Sequence, residues 1–441
     1  MTNEWPRRAL GELIRLQKGV SYKGEFLDQP GPRLLGLGTL VPGGGIKLDE
    51  ARTYSGPIRE DQRIKPGELL VALTDITQEG KVLGTPALVP EEGNGGLAVT
   101  HHVARVIINS PKELEARFLY YLLQGQDFKD YVRGVATGTT VRAVSVADVL
   151  SYDAELPPPA EQRAISRVLG ALDDKIELNR RMNQTLEEIC RALFKFWFVD
   201  FGPVRAKQEG RWKKGESLPG MPVDMWDLWP SEFEESKIGE IPKGWFVQQL
   251  ADVAEISQGS TPNTEVSGYW NPPEHPWVTV KDLSQTQDYV LMGTNRKVSQ
   301  KGLEYLGSRF VPPRSILLST GAPIGYVAVT TVPCILGTRV VALRPQSQLR
   351  LYYLLHWVKT SVGAFQDAAN GTTFPQLLLS ALREFPILIP PIEVLSRFES
   401  FLSPAQERVV SNVAESASLA STRDALLPKL LSGEIRVKVD L

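Results

Sequence analysis

The strongest constraint on this chain is that it repeats itself once. Trp5, Leu10 and Gln17-Lys-Gly-Val-Ser21 recur as Trp245, Leu250 and Gln258-Gly-Ser260, with aromatic, leucine and glycine at the same spacing. Four further pairs follow in the same order. Lys65-Pro-Gly-Glu parallels Pro312-Pro-Arg-Ser315, Tyr120-Tyr-Leu-Leu123 parallels Tyr352-Tyr-Leu-Leu355, Gly138-Thr-Thr140 parallels Gly371-Thr-Thr373, and Leu156-Pro-Pro158 parallels Ile389-Pro-Pro391. One such pair would be ordinary coincidence; the ordered set defines a tandem duplication with a period far longer than a solenoid repeat. At 441 residues the chain has room for two separate cores.

Each copy has the same grammar. Short apolar runs of β type, Glu68–Leu73 and Ser315–Ser319, are punctuated by Gly and Pro. A helical segment follows (Phe118–Leu123 or Leu351–Val358), then a Gly-Thr-Thr loop, a strand ending in prolines, and a long amphipathic helix. The first long helix is expected from Ala160 to about Phe198, where Gly170 is the only glycine and proline is absent. A heptad frame puts Ile165, Val168, Leu172, Met182, Leu186, Ile189, Leu193 and Phe196 on one seam, interrupted by Lys175 and Asn179. About 39 residues at 1.5 Å each make a rod of roughly 58 Å, too long to be enclosed by a small domain. The second long helix is expected to begin after Pro390-Pro391 and to run to about Leu427, with Leu395, Phe398, Leu402, Ala405, Val409, Leu419 and Leu426 on its seam. Ser403-Pro-Ala-Gln406 reads as a fresh helix start, predicting a break or kink at Pro404. The two helices are natural partners for each other, and polar seam residues would fix their register. Packing of each on its own domain alone is the competing arrangement. Residues 202–240, rich in Gly, Pro, Lys and Glu, read as a linker.

Charge neither advertises nor excludes a nucleic-acid partner. Formal net charge is −2. Residues 241–391 carry 12 basic and 9 acidic side chains, and residues 1–157 carry 18 and 20. Phosphate binding needs a local basic patch, not a basic total. Cys190 and Cys334 form no CxxC pair, and His101, His102, His275 and His356 show no metal-ligand spacing, so neither a disulfide framework nor a metal centre is expected. No apolar run reaches the roughly 18 residues a bilayer span needs, and the N-terminus lacks a secretory apolar stretch. A cytoplasmic location is expected.

Catalytic motifs are mimicked, not present. Asn271-Pro-Pro273 resembles the loop with which amino-methyltransferases grip an adenine, but Glu274 stands where an aromatic must stack. Leu35-Gly-Leu-Gly38 runs into Thr39-Leu-Val-Pro42 instead of opening a helix that could cradle a cofactor, and no phosphate loop or nucleophile elbow occurs. On strand alternation, His101 and His102 would face opposite ways. What remains are basic and hydroxyl residues on loops, candidates for phosphate and base contacts: Lys18, Lys23, Arg33, Arg52, Arg133, Thr139, Thr140 and Arg142 in the first copy. In the second they are Lys281, Arg296, Lys297, Arg309, Arg314, Arg339, Thr372 and Thr373. For each taken alone, a solvated surface charge is the competing reading. Arg142 beside Gly138-Thr-Thr140 is the preferred contact.

The order of these parts resembles the specificity subunits of type I restriction-modification systems over the whole chain. The resemblance is carried by Leu156-Pro-Pro-Pro-Ala-Glu-Gln-Arg163, Phe196-Trp-Phe-Val-Asp-Phe201, Pro203-Val-Arg-Ala-Lys207, Gly239-Glu-Ile-Pro-Lys-Gly-Trp245 and Leu426-Leu-Pro-Lys-Leu-Leu-Ser-Gly-Glu434. It implies an α+β chain without a catalytic site, in which two target-recognition domains of mixed α/β type are separated by two long helices forming an antiparallel coiled coil. The expected divisions are 1–157 and 241–391 for the recognition domains, 158–201 for the first spacer helix, 202–240 for the linker, and 392–433 for the second helix and C-terminal segment. It further implies that each domain reads one half of a split, asymmetric double-stranded DNA target. Two modification subunits carrying S-adenosylmethionine and motor-nuclease restriction subunits would join it, this chain holding no cofactor itself. Docking of the modification subunits on Phe194–Phe201 competes with packing of those aromatics inside the chain. Two rivals stand beside this reading: a stand-alone methyltransferase fused to recognition domains, and an adaptor that binds no DNA.

Overall fold

A computed structural model describes residues 5–76, 80–91, 96–139, 141–286, 288–307, 310–371 and 375–438. The chain divides into two compact units, Met1–Lys175 with Ser418–Leu441, and Ile176–Ala417. Each holds one copy of the repeat and a stretch of both long helices.

In the first unit a four-stranded antiparallel sheet runs in the order Ile14–Lys18, Val103–Ile108, Leu69–Ala72, Pro86–Leu88. A second sheet orders Arg52–Thr53, Arg33–Leu35, Leu97–Val99 and Arg63–Ile64, its central pair parallel. Leu70, Val71 and Ala72 are fully buried, so this strand is covered on both faces and reads as a continuous apolar run instead of an alternating one. The helix Ala116–Gln124 is buried through Phe118, Leu119 and Tyr121. Its N-cap, Glu115, accepts from the backbone of Arg117 (3.0 Å) and Phe118 (2.6 Å), two of the donors a helix start leaves unpaired.

The second unit repeats the scheme. Ala254–Gln258, Val340–Pro345, Ile316–Ser319 and Val327–Thr330 form the same antiparallel run, with Val290–Leu291 added in parallel at the edge. Arg296–Val298, His275–Val278 and Ile335–Leu336 form the smaller sheet. The helix Leu351–Thr360 has Arg350 at its N-cap, without a side-chain cap bond. Glu399 of the second long helix does the work of Glu115 instead, accepting from Tyr352 N at 2.9 Å.

The first long helix spans Pro159–Phe198 and the second Ile392–Leu431. In the first unit their pairing is charged: Arg423 Nη1 meets Asp173 Oδ1 at 2.7 Å, and Asp173 Oδ2 accepts from the Tyr121 hydroxyl at 2.7 Å. In the second unit it is carried by amides. Asn412 Nδ2 donates to Asn183 Oδ1 at 2.8 Å, Asn179 Nδ2 donates to Glu415 at 2.9 Å, and Asn179, Asn183 and Asn412 are buried. Ascending residues on one helix meet descending residues on the other, so the pairing is antiparallel. Gly170, the lone glycine of the first helix, lies under Arg117, where a Cβ would come within 2.6 Å of the guanidinium carbon.

Two expectations are corrected, and one open alternative is decided. The first helix buries Ile165, Leu169, Asn179, Asn183, Cys190, Phe194 and Trp197, whereas Val168 and Ile189 of the expected seam are 36% and 50% exposed. Asn179 is on the expected seam as an interruption, but Leu169, Asn183, Cys190, Phe194 and Trp197 lie one position on from Val168, Met182, Ile189, Leu193 and Phe196, and Asn183 carries no apolar signal because it buries by pairing with Asn412. Pro404 does not break the second helix. Its ring faces solvent, the Ser403 hydroxyl turns back to Glu399 O (2.8 Å) instead of capping a new start, and Leu402, Gln406 and Val409 on either side are anchored in the core. Packing outweighs the roughly 3 kcal/mol a mid-helix proline costs. The aromatics of Phe194–Phe201 pack within the chain: Trp197 and Phe198 surround Phe398, with ring centroids 5.4 and 4.9 Å away.

The segment after the first helix is folded onto the second unit. It contains the helix Gly202–Gln208, a 3₁₀ stretch Val223–Leu228 and a hairpin of Phe233–Ser236 with Gly239–Pro242. Trp212, Met221, Met225 and Trp229 belong to the second unit's main core.

Candidate nucleic-acid interface

In the first unit, loops gather at one edge of the main sheet. Strand Thr74–Asp75 pairs with Arg142–Ala143, and Thr137 and Ala143 exchange backbone hydrogen bonds of 2.9 Å, closing the Gly138–Val141 loop. Gly138 has φ +94°, and a Cβ there would lie 2.1 Å from Val141 O, so the loop requires glycine. Asp75, 1% exposed, anchors the next turn by accepting from Val82 N (2.5 Å) and Leu83 N (3.2 Å). Arg142 Nη2 donates to Arg133 O at 2.9 Å, so these two arginines and exposed Thr139 share one rim.

The same edge carries a pair that strand alternation misplaces. His101 and His102 lie in a turn between Val99 and Val103, and their rings face each other with centroids 3.9 Å apart. Successive strand side chains diverge; a turn rotates them together. His102 Nδ1 lies 2.9 Å from Thr74 Oγ1, Tyr22 flanks His101 at 6.1 Å, and burial together with the neighbouring His101 lowers the His102 pKa below its ordinary value.

The other first-copy candidates divide. Lys18 is exposed at the end of the strand Ile14–Lys18, opposite Ala104 of the strand that leaves this turn. Arg33 and Arg52 lie on neighbouring strands of the second sheet, paired with Thr53 and Leu34 respectively and so on opposite faces, Arg52 held by Asp28 (2.9 and 2.5 Å) and Arg33 reaching Leu48 O at 3.4 Å. Lys23 faces Glu25 at 3.9 Å and Arg133 faces Asp130 at 3.3 Å. Such exposed ion pairs are worth about 0–1 kcal/mol and yield readily to a phosphate. Thr140 lies outside the described residues.

The second unit builds the same edge from different side chains. Leu377 N donates to Thr320 O (2.9 Å) as Val144 N donates to Leu73 O (2.9 Å), and Thr320 N takes Arg339 O (2.8 Å) as Leu73 N takes His102 O (2.8 Å). Arg339 therefore stands where His102 stands, and Thr338 where His101 stands. Arg339 has φ +67° and its stem crosses Gly321, where a Cβ would lie 2.1 Å from Arg339 Cδ. Arg296 and Lys297 are exposed on the smaller sheet, Arg296 lying 3.8 Å over the Trp270 ring and 5.4 Å from Trp277. Lys281 is exposed on the short helix Val280–Ser284. Arg314 stands apart. Ile316–Ser319 separates it from Gly321, and its guanidinium lies 5.7 Å from the Tyr352 ring beside Glu399. Arg309, Thr372 and Thr373 lie outside the described residues.

The decoy loop is spent locally: Asn271 Nδ2 donates to Ser267, and Glu274 caps the Gln300–Leu306 helix by accepting from Gln300 N at 2.7 Å. Both cysteines are free and buried. Among the described residues no cluster of three or more His, Cys, Asp or Glu side chains is placed to hold a metal ion, and no helix is long and apolar enough to cross a membrane.

The family described as Type I restriction modification DNA specificity domain matches residues 48–188 and 242–408, once in each copy. The chain is 25% identical to the type I restriction enzyme HindI specificity subunit of Haemophilus influenzae over 98% of its own length and all of the relative's. It is 28% identical to the MjaIX specificity subunit of Methanocaldococcus jannaschii, covering 74% of this chain and 71% of that one. The crystal structure of a type I restriction-modification S subunit from M. genitalium covers 98% of this chain and 97% of its own, with a TM-score of 0.54 at 17% identity, a likeness of fold.

Proposed function

The chain belongs to the type I restriction-modification DNA specificity family, and from that premise we propose that its two copies read the two halves of one split, asymmetric double-stranded DNA target. It is the specificity component of a type I system and a non-catalytic one, and the family implies no cofactor in this chain. The carrying observation is that the two copies share a backbone ladder at their loop edge but present different side chains on it: His101, His102, Arg142 and Ala143 against Thr338, Arg339, Pro375 and Gln376. A reader of two different half-sites needs that combination, because base edges are distinguished by donor and acceptor patterns.

In this reading Lys18, Lys23, Arg33, Arg52, Arg133, Thr139, Thr140 and Arg142 serve the first half-site, alongside backbone amides of the glycine loop. Lys281, Arg296, Lys297, Arg309, Arg339, Thr372 and Thr373 serve the second. Arg314, stacked beside the second long helix, supports that helix more than it faces DNA. The long helices set the gap between half-sites. Two modification subunits carrying S-adenosylmethionine place the methyl groups, and restriction subunits join the complex to cut. The recognition domains are 1–157 and 241–391, with spacer helices at 158–201 and 392–433 and a connection at 202–240.

Methylation mapping tests this directly. Exchanging residues 1–157 for those of another family member should change one half of a split motif and leave the other intact. Matched heptad insertions beside Asn179 and Ser416 should change the gap alone. A motif altered in both halves by the exchange, or a gap indifferent to the insertions, would refute the reading.

A further inference from the structure

We propose that the two-residue turn His101-His102 is the base-reading element of the first copy, its imidazoles being the specificity-determining side chains for one half-site. The inference rests on the DNA-reading function above and goes beyond it by naming the residues that read.

The turn's backbone is locked. His101 N donates to Val20 O (2.9 Å), Val103 N to Thr100 O (2.9 Å), and Leu73 N to His102 O (2.8 Å). Gly19 fits against its start so closely that a Cβ would lie 2.0 Å from Val99 O. Gly259 makes the same approach in the second copy, where a Cβ would lie 2.3 Å from Leu336 C. The two copies therefore share the hydrogen bonds that hold the turn while its side chains change from His-His to Thr338-Arg339, the second residue taking the left-handed backbone in Arg339 and not in His102. A fixed frame with exchangeable polar tips is what specificity requires, because a reading group must be positioned before it contacts a base.

The second copy supplies an independent sign. Arg339 keeps a left-handed backbone, φ +67°, although it is not glycine. An arginine is the side chain that grips guanine through two acceptors. In the first copy the two adjacent imidazoles, tilted 39° to each other, are half-buried, with His102 Nδ1 paired with Thr74 Oγ1. The ring nitrogen left to meet a base is Nε2. His101 Nδ1 is buried without a partner. The lowered His102 pKa keeps that ring neutral at pH 7, suiting it to hydrogen bonding with a base edge more than to holding a phosphate. Arg142 and Thr139, on the same edge, are left to the backbone.

The test uses the full chain in complex with its modification subunits and reads the methylated motif genome-wide. His102→Ala should relax discrimination at one or two positions of one half-site by about tenfold or more, with the other half and the gap unchanged. His102→Arg, carrying the residue of the second copy, should shift that position towards guanine, and it keeps the test open should the alanine variant fold poorly. A folded His102→Arg complex with the wild-type motif would overturn the proposal, as would equal weakening of both half-sites. If the wild-type complex methylates no split motif, the DNA-reading premise itself fails, and that result is distinguishable from the other two.

Discussion

Both copies begin with a tryptophan, and the two corners are finished differently. Trp245 is 2% exposed and sits among Phe198, Phe201 and Trp229, with ring centroids 5.6–6.0 Å away. Trp5 is 8% exposed and is covered by the segment following Leu431: Gly433 lies against its ring and the Arg436 guanidinium stacks 4.5 Å from it, while Arg436 also reaches Glu161 at 2.9 Å. Each tryptophan thus closes over the C-terminal end of a long helix, the first helix in one unit and the second in the other. Both indole N–H groups are buried without a partner. The same corner is built once from aromatic packing and once from a cation, so the folded connection at 202–244 is a capping element of the second unit.

That comparison breaks most easily at the indoles. Trp245→Ala should cost the second unit about 4 kcal/mol, and Trp5→Ala should cost the first about 3, since a partly exposed guanidinium covers less apolar surface. Denaturant unfolding with hydrogen exchange assigns each loss to its unit, and equal losses would deny the connection a capping role.

A second difference lies where the copies put His356 and Gln124 at the same step of their buried helices. Burial pushes the His356 pKa down to about 3, and its Nε2 has no partner. A histidine held neutral in the fold but titrating near 6.5 when unfolded contributes fully above that pH and loses its contribution as pH falls towards 3. The second unit should therefore lose about 2 kcal/mol between pH 7 and pH 5, and His356→Gln should flatten that slope. Thermal melts at the two pH values decide it; an unchanged slope in the variant would remove His356 from the account.

The smallest effect is expected in the helix pairing, amide in one unit and charged in the other. Asn412→Ala strands the Asn183 carbonyl and should cost about 1 kcal/mol, whereas leucine at both positions should be near neutral. If the double variant is as unstable as the single one, the asparagines are packing residues and not a registered pair.

How much of this was legible in the sequence varies with range. Helix boundaries were nearly readable, Ala160 to about Phe198 expected against Pro159–Phe198 found, because freedom from proline is a local property. The seam was legible only in part: Asn179 is on it, but Asn183 is buried only when Asn412 arrives from more than two hundred residues away. Pro404 carried every local sign of a break, and core packing overrode it. Among the candidate site residues, the Gly138 loop was visible from the repeat, and Arg142 from its place beside it. His101 and His102 were set aside as strand residues, although aligning the copies puts Thr338-Arg339 opposite them.

The sequence by itself determined the duplication, the two long helices and the family, because each is written as order and spacing along the chain. Only the tertiary structure decided which faces those helices bury, that the aromatics after the first helix close a core, and that two adjacent histidines meet ring to ring beside Thr74. Those outcomes depend on hydrogen bonds and packing between residues far apart in sequence, where local propensity carries no information.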